Sequence, residues 1–202
     1  AQLSDIQLLP FVSTTEFVAP NAQLLGGRKA LRMSSSGVAA ATDAQLSMLG
    51  LDSMHLDGFE GEGVMISVMD SGFPGVNSTA PFQTLRDDGR ILMTTDFIRN
   101  SSDVYQYDDH GTNVLSIMAA EGPSFRGGAP KASYLLFVTE DVANEYRIEE
   151  YNWLFAAERA DSAGADIIQS SLGYAEFDDP SMDYTPADLN GNTAVVSRSA
   201  SR

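Results

Sequence analysis

Apolar residues in this chain fall into short blocks separated by glycine-rich or polar stretches, and the blocks show two spacings. Residues 64–69 (VMISVM) and 133–138 (SYLLFV) are apolar at nearly every position. Such runs predict strands buried on both faces of a parallel sheet. Residues 166–172 predict a further strand. Val114, Leu115, Ile117 and Met118 have helical spacing, as do Trp153, Ala157 and Ala160 within residues 149–163, where Gly164 supplies a C-terminal stop. Leu46, Leu49 and Met54 repeat helically over residues 44–54, with a break at Gly50. Asp87-Asp88-Gly89 is a turn signal and predicts a strand pair, with residues 90–98 extended. Residues 73–81, 100–109 and 127–130 read as loops. Strands alternating with helices predict an α/β fold with a parallel sheet and helices on both faces. No internal repeat is present.

The first part of the chain has a different texture. Ile6, Leu8, Leu9, Phe11 and Val12, interrupted by Pro10, predict one or two short strands within residues 5–18. Residues 21–57 read as a linker and N-terminal arm. They hold Gly26-Gly27, a small basic group (Arg28, Lys29, Arg32) and Ser34-Ser35-Ser36-Gly37. The expected organisation is residues 1–20 as an N-terminal strand segment, 21–57 as linker and arm, and 58–202 as the main domain.

Composition narrows the function classes. With 202 residues, 43% of them hydrophobic, the chain has enough apolar material for one core. No apolar run reaches the roughly 18 residues of a membrane span, and no signal-peptide pattern is visible. The 28 acidic and 12 basic side chains leave a formal charge of −16. That balance argues against nucleic acid or an anionic membrane as partner. The absence of cysteine excludes disulfides, zinc-thiolate sites and thiol nucleophiles.

Two residues carry the candidate chemistry. Asp70 ends the run at 64–69 and is followed by Ser71-Gly72, so it stands at the carboxyl end of a central strand, where open α/β sheets place their ligands. Alone, it reads equally well as a turn residue. His110 opens the helical stripe, with Asp108 and Asp109 at the capping positions before it and Gly111 permitting close approach of another backbone. Alone, it reads as a solvated first-turn histidine. Together, a buried carboxylate would hold one ring nitrogen protonated and leave the other as a general base.

These segments resemble the motifs of the subtilisin-like serine proteases, the subtilases. Val68-Met69-Asp70-Ser71-Gly72 is similar to their aspartate motif. His110-Gly111-Thr112-Asn113-Val114, running on to Met118-Ala119-Ala120, is similar to their histidine motif. Asp166-Ile167-Ile168-Gln169-Ser170-Ser171-Leu172-Gly173 is similar to their substrate-binding strand. The order matches, and the resemblance extends over roughly residues 58–192, with details like the secreted Bacteroidetes-type members. Asn113 departs from the pattern, because many relatives carry a second histidine there.

The resemblance implies a secreted hydrolase of the serine protease type, an endopeptidase acting on peptides or proteins, with Asp70 and His110 catalytic and Ser171, Leu172 and Gly173 binding substrate backbone. It also implies an oxyanion asparagine and a serine nucleophile in a Gly-Thr-Ser turn. Neither is matched here: Ser197, Ser199 and Ser201 lie in a terminal segment that reads as the opening of a helix that stops before it packs. The chain is therefore expected to be the N-terminal half of a catalytic domain, inactive alone, with the rest of that domain as a partner. Two alternatives stand beside it: a non-catalytic peptide-binding or inhibitory fragment, and a metal- or phosphate-dependent α/β protein using Asp70 and Asp108, which lacks a Gly-rich phosphate loop.

The remaining sites have two readings each. Tyr151, Asn152 and Trp153 would border a more distant substrate pocket or pack in the core. The acidic run at 140–150 would favour basic substrate residues or form a solvated surface loop. No cofactor is expected. Asp103, Asp108 and Asp109 suit a hard metal such as calcium, but EF-hand spacing is absent and no metal ligand is assigned. By the same resemblance, residues 9–12 match the last strand of a propeptide, and an ordinary edge strand is the other reading. On the propeptide reading, the segment 26–37 is cut during maturation. N-terminal sequencing of the mature protein checks this, and a mature chain beginning at Ala1 would contradict it.

Overall fold

The computed structural model of the chain describes residues 6–8, 12–19, 41–123 and 125–201. The expected linker at 21–40 and most of the segment 9–12 lie outside these residues. Helices α1 (Ala41–Met48) and α2 (Leu51–Leu56) come first, separated at Gly50, whose φ of 71° suits glycine. His55 Nε2 lies 2.9 Å from Gly128 O and ties this arm to the main body. Strand β1 (Met65–Asp70) follows. A 3₁₀ turn (Ala80–Phe82) and the short helix α3 (Gln83–Asp87) then lead into β2 (Ile91–Asp96). The turn at Asp88-Gly89 is thus present, but a helix precedes it instead of the expected strand. Phe82 and Leu85 are the reason: they bury on one side of the helical segment and join the core.

The long loop after β2 delivers α4 (His110–Ala119). A small antiparallel pair, β3 (Glu121–Gly122) and β4 (Phe125–Arg126), comes next. Strand β5 (Ser133–Val138), helix α5 (Ile148–Ala163), strand β6 (Ile167–Ser170) and helix α6 (Val195–Ala200) complete the order. The four long strands form one parallel sheet in the order β2-β5-β1-β6, with Asp70 level with Val138 and Met69 level with Ser170.

Strand periodicity sorts the core into two layers. Ile66 and Val68 of β1, with Tyr134, Leu136 and Val138 of β5, pack with Leu115 and Ala119 of α4. Met69, Leu135 and Phe137 face the other way, onto Trp153, Ala156 and Ala160 of α5. The same alternation turns Asp70 toward the α4 side. Trp153 is therefore a core residue, its Nε1 donating to Ser170 Oγ at 3.0 Å, and Asn152 is buried, donating to Thr139 O. Their alternative reading, as the border of a distant substrate pocket, gives way to core packing.

Three further expectations change. Residues 12–19 form no strand: they run irregularly past the start of α5, where Ile148 N donates to Val18 O and Tyr151 OH donates to Glu16. Residues 6–8 form a helical turn. The terminal helix α6 does pack, because Val195 is buried and Val196 N donates to Glu150 Oε1. Finally, the acidic run is not a solvated loop, since Glu140, Glu149 and Glu150 are all buried. Glu150 has both oxygens bonded, the second by Tyr184 OH at 2.7 Å, and so braces the segment around Tyr174, Phe177 and Met182 against α5.

Removing one donor from a buried carboxylate leaves an oxygen without a partner, which costs about 1–3 kcal/mol. Tyr184→Phe should therefore lower the unfolding free energy by that amount. Urea denaturation of the two proteins checks it, and an unchanged midpoint would show that Glu150 is satisfied by other means.

Candidate active site

Parallel strands all end at the same rim of the sheet, and this rim holds the candidate site. Asp70 is the last residue of β1 and has no solvent exposure. Its Oδ1 accepts from Ser71 N at 2.8 Å and Ser71 Oγ at 3.1 Å, and lies 2.8 Å from His110 Nδ1. Burial raises the Asp70 carboxyl above the ordinary carboxylate range. The hydrogen bonds from His110 and Ser71 act in the opposite direction and stabilise the anion.

His110 is the first residue of α4 and is half exposed. The helix start is organised by Asp108, whose Oδ1 accepts from His110 N at 3.0 Å and from Ser71 Oγ at 3.3 Å. Asp109, the residue directly before the helix, makes no side-chain cap. Gly111 admits the helix to the strand end: a Cβ there would overlap Gly72 O and crowd Asp70. Gly72 has φ of 152°, and a Cβ on it would overlap the backbone of Gln106. Two close backbone approaches thus set the separation between Asp70 and His110. With Nδ1 hydrogen-bonded to the Asp70 carboxylate, Nε2 is the ring nitrogen left to accept a proton.

The histidine lines a cleft of about 440 Å³. Ser171, Leu172 and Gly173, which leave the end of β6, line it as well. Ser171 and Gly173 are exposed, and a Cβ on Gly173 would meet open space. Strand β6 pairs only with β1 among the described residues, so this segment continues an edge strand. Such a strand is available to an extended peptide through main-chain hydrogen bonds. The structure thus brings together all five residues singled out from the sequence.

Ser71 is the participant that the sequence did not single out, whereas Asp108 was expected at a capping position and accepts from His110 N. The i, i+2 spacing of Asp108 to His110 was the available signal for a side-chain cap. Asp103, Asp108 and Asp109 do not converge as metal ligands: Asp103 instead accepts from Tyr105 N, and Asp108 serves Ser71 and His110. Glu140, Glu145 and Glu149 line the cleft beside His110. Burial holds the carboxyls of Glu140 and Glu149 above their ordinary range, and the neighbouring glutamates add to the effect.

A sequence model of the subtilase family matches residues 61–200 of this chain. Among solved structures, the chain is similar to MycP1 from the ESX-1 type VII secretion system, with a TM-score of 0.53 and 17% identity. The match covers 82% of this chain and 43% of that one. It also matches MycP1 from Mycobacterium smegmatis at 20% identity and TM-score 0.49, over 67% of this chain and 37% of that one. Fervidolysin from Fervidobacterium pennivorans, a keratinolytic enzyme related to subtilisin, matches at 17% identity and TM-score 0.46, over 69% and 22%. The chain therefore spans less than half the length of each of these structures. The strand-end aspartate, the helix-start histidine and the parallel sheet agree with the family match over residues 61–200, and the chain belongs to the subtilase family.

Proposed function

We propose that this chain carries the aspartate and histidine of a secreted subtilisin-type serine endopeptidase. The observation that carries the reading is the 2.8 Å contact between fully buried Asp70 and half-exposed His110, in one cleft with Ser171, Leu172 and Gly173. Asp70 fixes the imidazole with Nδ1 protonated and stabilises the imidazolium formed during turnover. His110 accepts the nucleophile's proton through Nε2 and returns it to the leaving amine. The segment 171–173 pairs with substrate backbone and holds the scissile bond in register.

In this reading none of the described serines is the nucleophile of His110. Ser116 Oγ donates to Asn113 O on the helix of His110 itself. Ser199 and Ser201 donate to carbonyls of the terminal helix segment. Among the described residues no serine hydroxyl is hydrogen-bonded to His110.

In the protein that includes the nucleophile, Asp70→Asn should lower kcat by about 10⁴, through the wrong tautomer and loss of imidazolium stabilisation. Steady-state peptide hydrolysis checks this, and a loss of less than tenfold would remove Asp70 from the mechanism.

The isolated 1–202 polypeptide should neither react with a serine-directed phosphonate nor cleave peptides. Supplying the rest of the domain, fused or as a second chain, should restore both. Stoichiometric labelling of one of its own serines would overturn the assignment. Peptide binding without restored hydrolysis would favour a non-catalytic binding fragment.

A further inference from the structure

Two fully buried carboxylates stand at the same level of the sheet. Asp70 ends β1 and Asp96 ends β2, and both are level with Val138 of the strand between them. Level residues of a parallel sheet face the same side, so both carboxylates point toward α4, about 10 Å apart across two strand spacings. Asp70 meets His110. Asp96 meets Tyr107, three residues earlier in the chain: Tyr107 OH donates to Asp96 Oδ2 at 2.7 Å. Asp96 Oδ1 accepts from Ile98 N at 2.9 Å and Arg99 N at 3.0 Å, so this carboxylate is itself fixed in orientation. The Arg99 guanidinium lies 4.6 Å from the centre of the Tyr107 ring, and the ring packs against the core layer that contains Leu115 and Ala119.

Tyr107 reaches Asp96 in a backbone conformation that tyrosine seldom takes, with φ of 73°. Among the described residues Asn100 is the other non-glycine with positive φ, and asparagine tolerates that region because its short side chain bonds locally. A bulky residue stays there only where its surroundings hold it. The stacked ring and the bonded hydroxyl supply that hold. Burial, aided by the bond to Asp96, pushes the pKa of the phenol up to about 12, so the hydroxyl remains a donor throughout the neutral range.

We infer that Tyr107 is a positioning residue for His110, a clamp that suspends the end of this loop between the carboxylates of Asp96 and Asp70. The inference rests on the reading of Asp70 and His110 as orienter and base. Only Asp108 and Asp109 lie between the two anchored side chains. Asp108 Oδ1 holds both His110 N and Ser71 Oγ, and the backbone at Gln106 and Asp108 passes close over Gly72. With Tyr107 held at Asp96, its left-handed turn directs residues 108–110 across the strand ends, and His110 Nδ1 arrives at Asp70. The His110 side chain is half exposed, so packing alone does not fix its ring. Without the hydroxyl the strained turn relaxes, Asp108 shifts, and the imidazole is free to leave Asp70 Oδ1.

The test is long-range ¹H–¹⁵N NMR of the 202-residue chain, whose two histidines report their ring tautomers separately. Wild type should show His110 with Nδ1 protonated and its proton at low field. Tyr107→Phe keeps the ring and removes one oxygen; it should lose that signal and give a mixture of tautomers, with the chain still folded by circular dichroism. Asp96→Asn still offers Nδ2 to the Tyr107 oxygen and should keep the signal. Tyr105→Phe, which removes a hydroxyl from the same loop, should leave it unchanged. In the protein that includes the nucleophile, Tyr107→Phe should lower kcat by about tenfold or more with KM within about twofold, as a misplaced base requires. An unchanged His110 spectrum or an unchanged kcat in Tyr107→Phe would overturn the clamp and leave the Asp70–His110 reading standing. Loss of the signal in folded Asp96→Asn, where the contact persists, would overturn the clamp too. A wild-type chain without the low-field Nδ1 proton, or one in which Asp70→Asn leaves it intact, would overturn that reading and the clamp with it.

Discussion

A carboxylate withdrawn completely from water must be compensated by the protein around it, and much of the site follows from that requirement at Asp70. Its negative charge is met by a backbone N–H, a hydroxyl and an imidazole, all at Oδ1. Ser71 supplies two of these donors because it is the next residue, so the compensation begins locally. The third comes from 40 residues away and requires a helix to begin at the strand end. Asp108 completes the arrangement by holding both Ser71 Oγ and His110 N. The group that solvates Asp70 from a distance is also the candidate base, which couples folding of this region to readiness of the site.

Chain direction then gathers the remaining parts of the candidate site. Strands β5, β1 and β6 are neighbours and parallel, so their exits lie side by side. Glu140 follows the first, Asp70 ends the second, and residues 171–173 follow the third. Glu140, Asp70 and the segment 171–173 adjoin because of strand order, without any proximity in sequence.

What the sequence disclosed depended on range. The continuous apolar runs at 64–69 and 133–138 and the helical stripe after His110 are local signals, and the observed elements match them closely. Gly111 foretold a close approach because glycine at a helix start is otherwise unfavourable. The acidic run was misjudged because charge density predicts exposure unless partners are known. The donors to Glu150 and Glu140 include Tyr184, Val196 and Tyr174, each more than 30 residues away. The helix at Gln83–Asp87 was missed for the complementary reason: five residues carry too little periodicity to signal a buried face. The segment at 12–19 has strand-like composition, yet it finds its hydrogen bond at the start of a helix and not along a sheet.

The contact at Gly111 has a consequence for how this scaffold tolerates change. At Gly111 the helix that bears His110 meets the main-chain oxygen of Gly72, just beyond the strand that bears Asp70, with Asp70 Cβ and the Phe73 ring beside it. Main-chain atoms are the same in every sequence. Substitutions among Leu115, Ala119, Leu136 and Val138 would alter the volume of the layer beneath, but the gap at its upper end is gauged by hard backbone contact. Sequence drift in the interior is thus mechanically decoupled from the spacing of the two polar side chains. Residues 72 and 111, which contribute no side chain, are the positions where that decoupling fails.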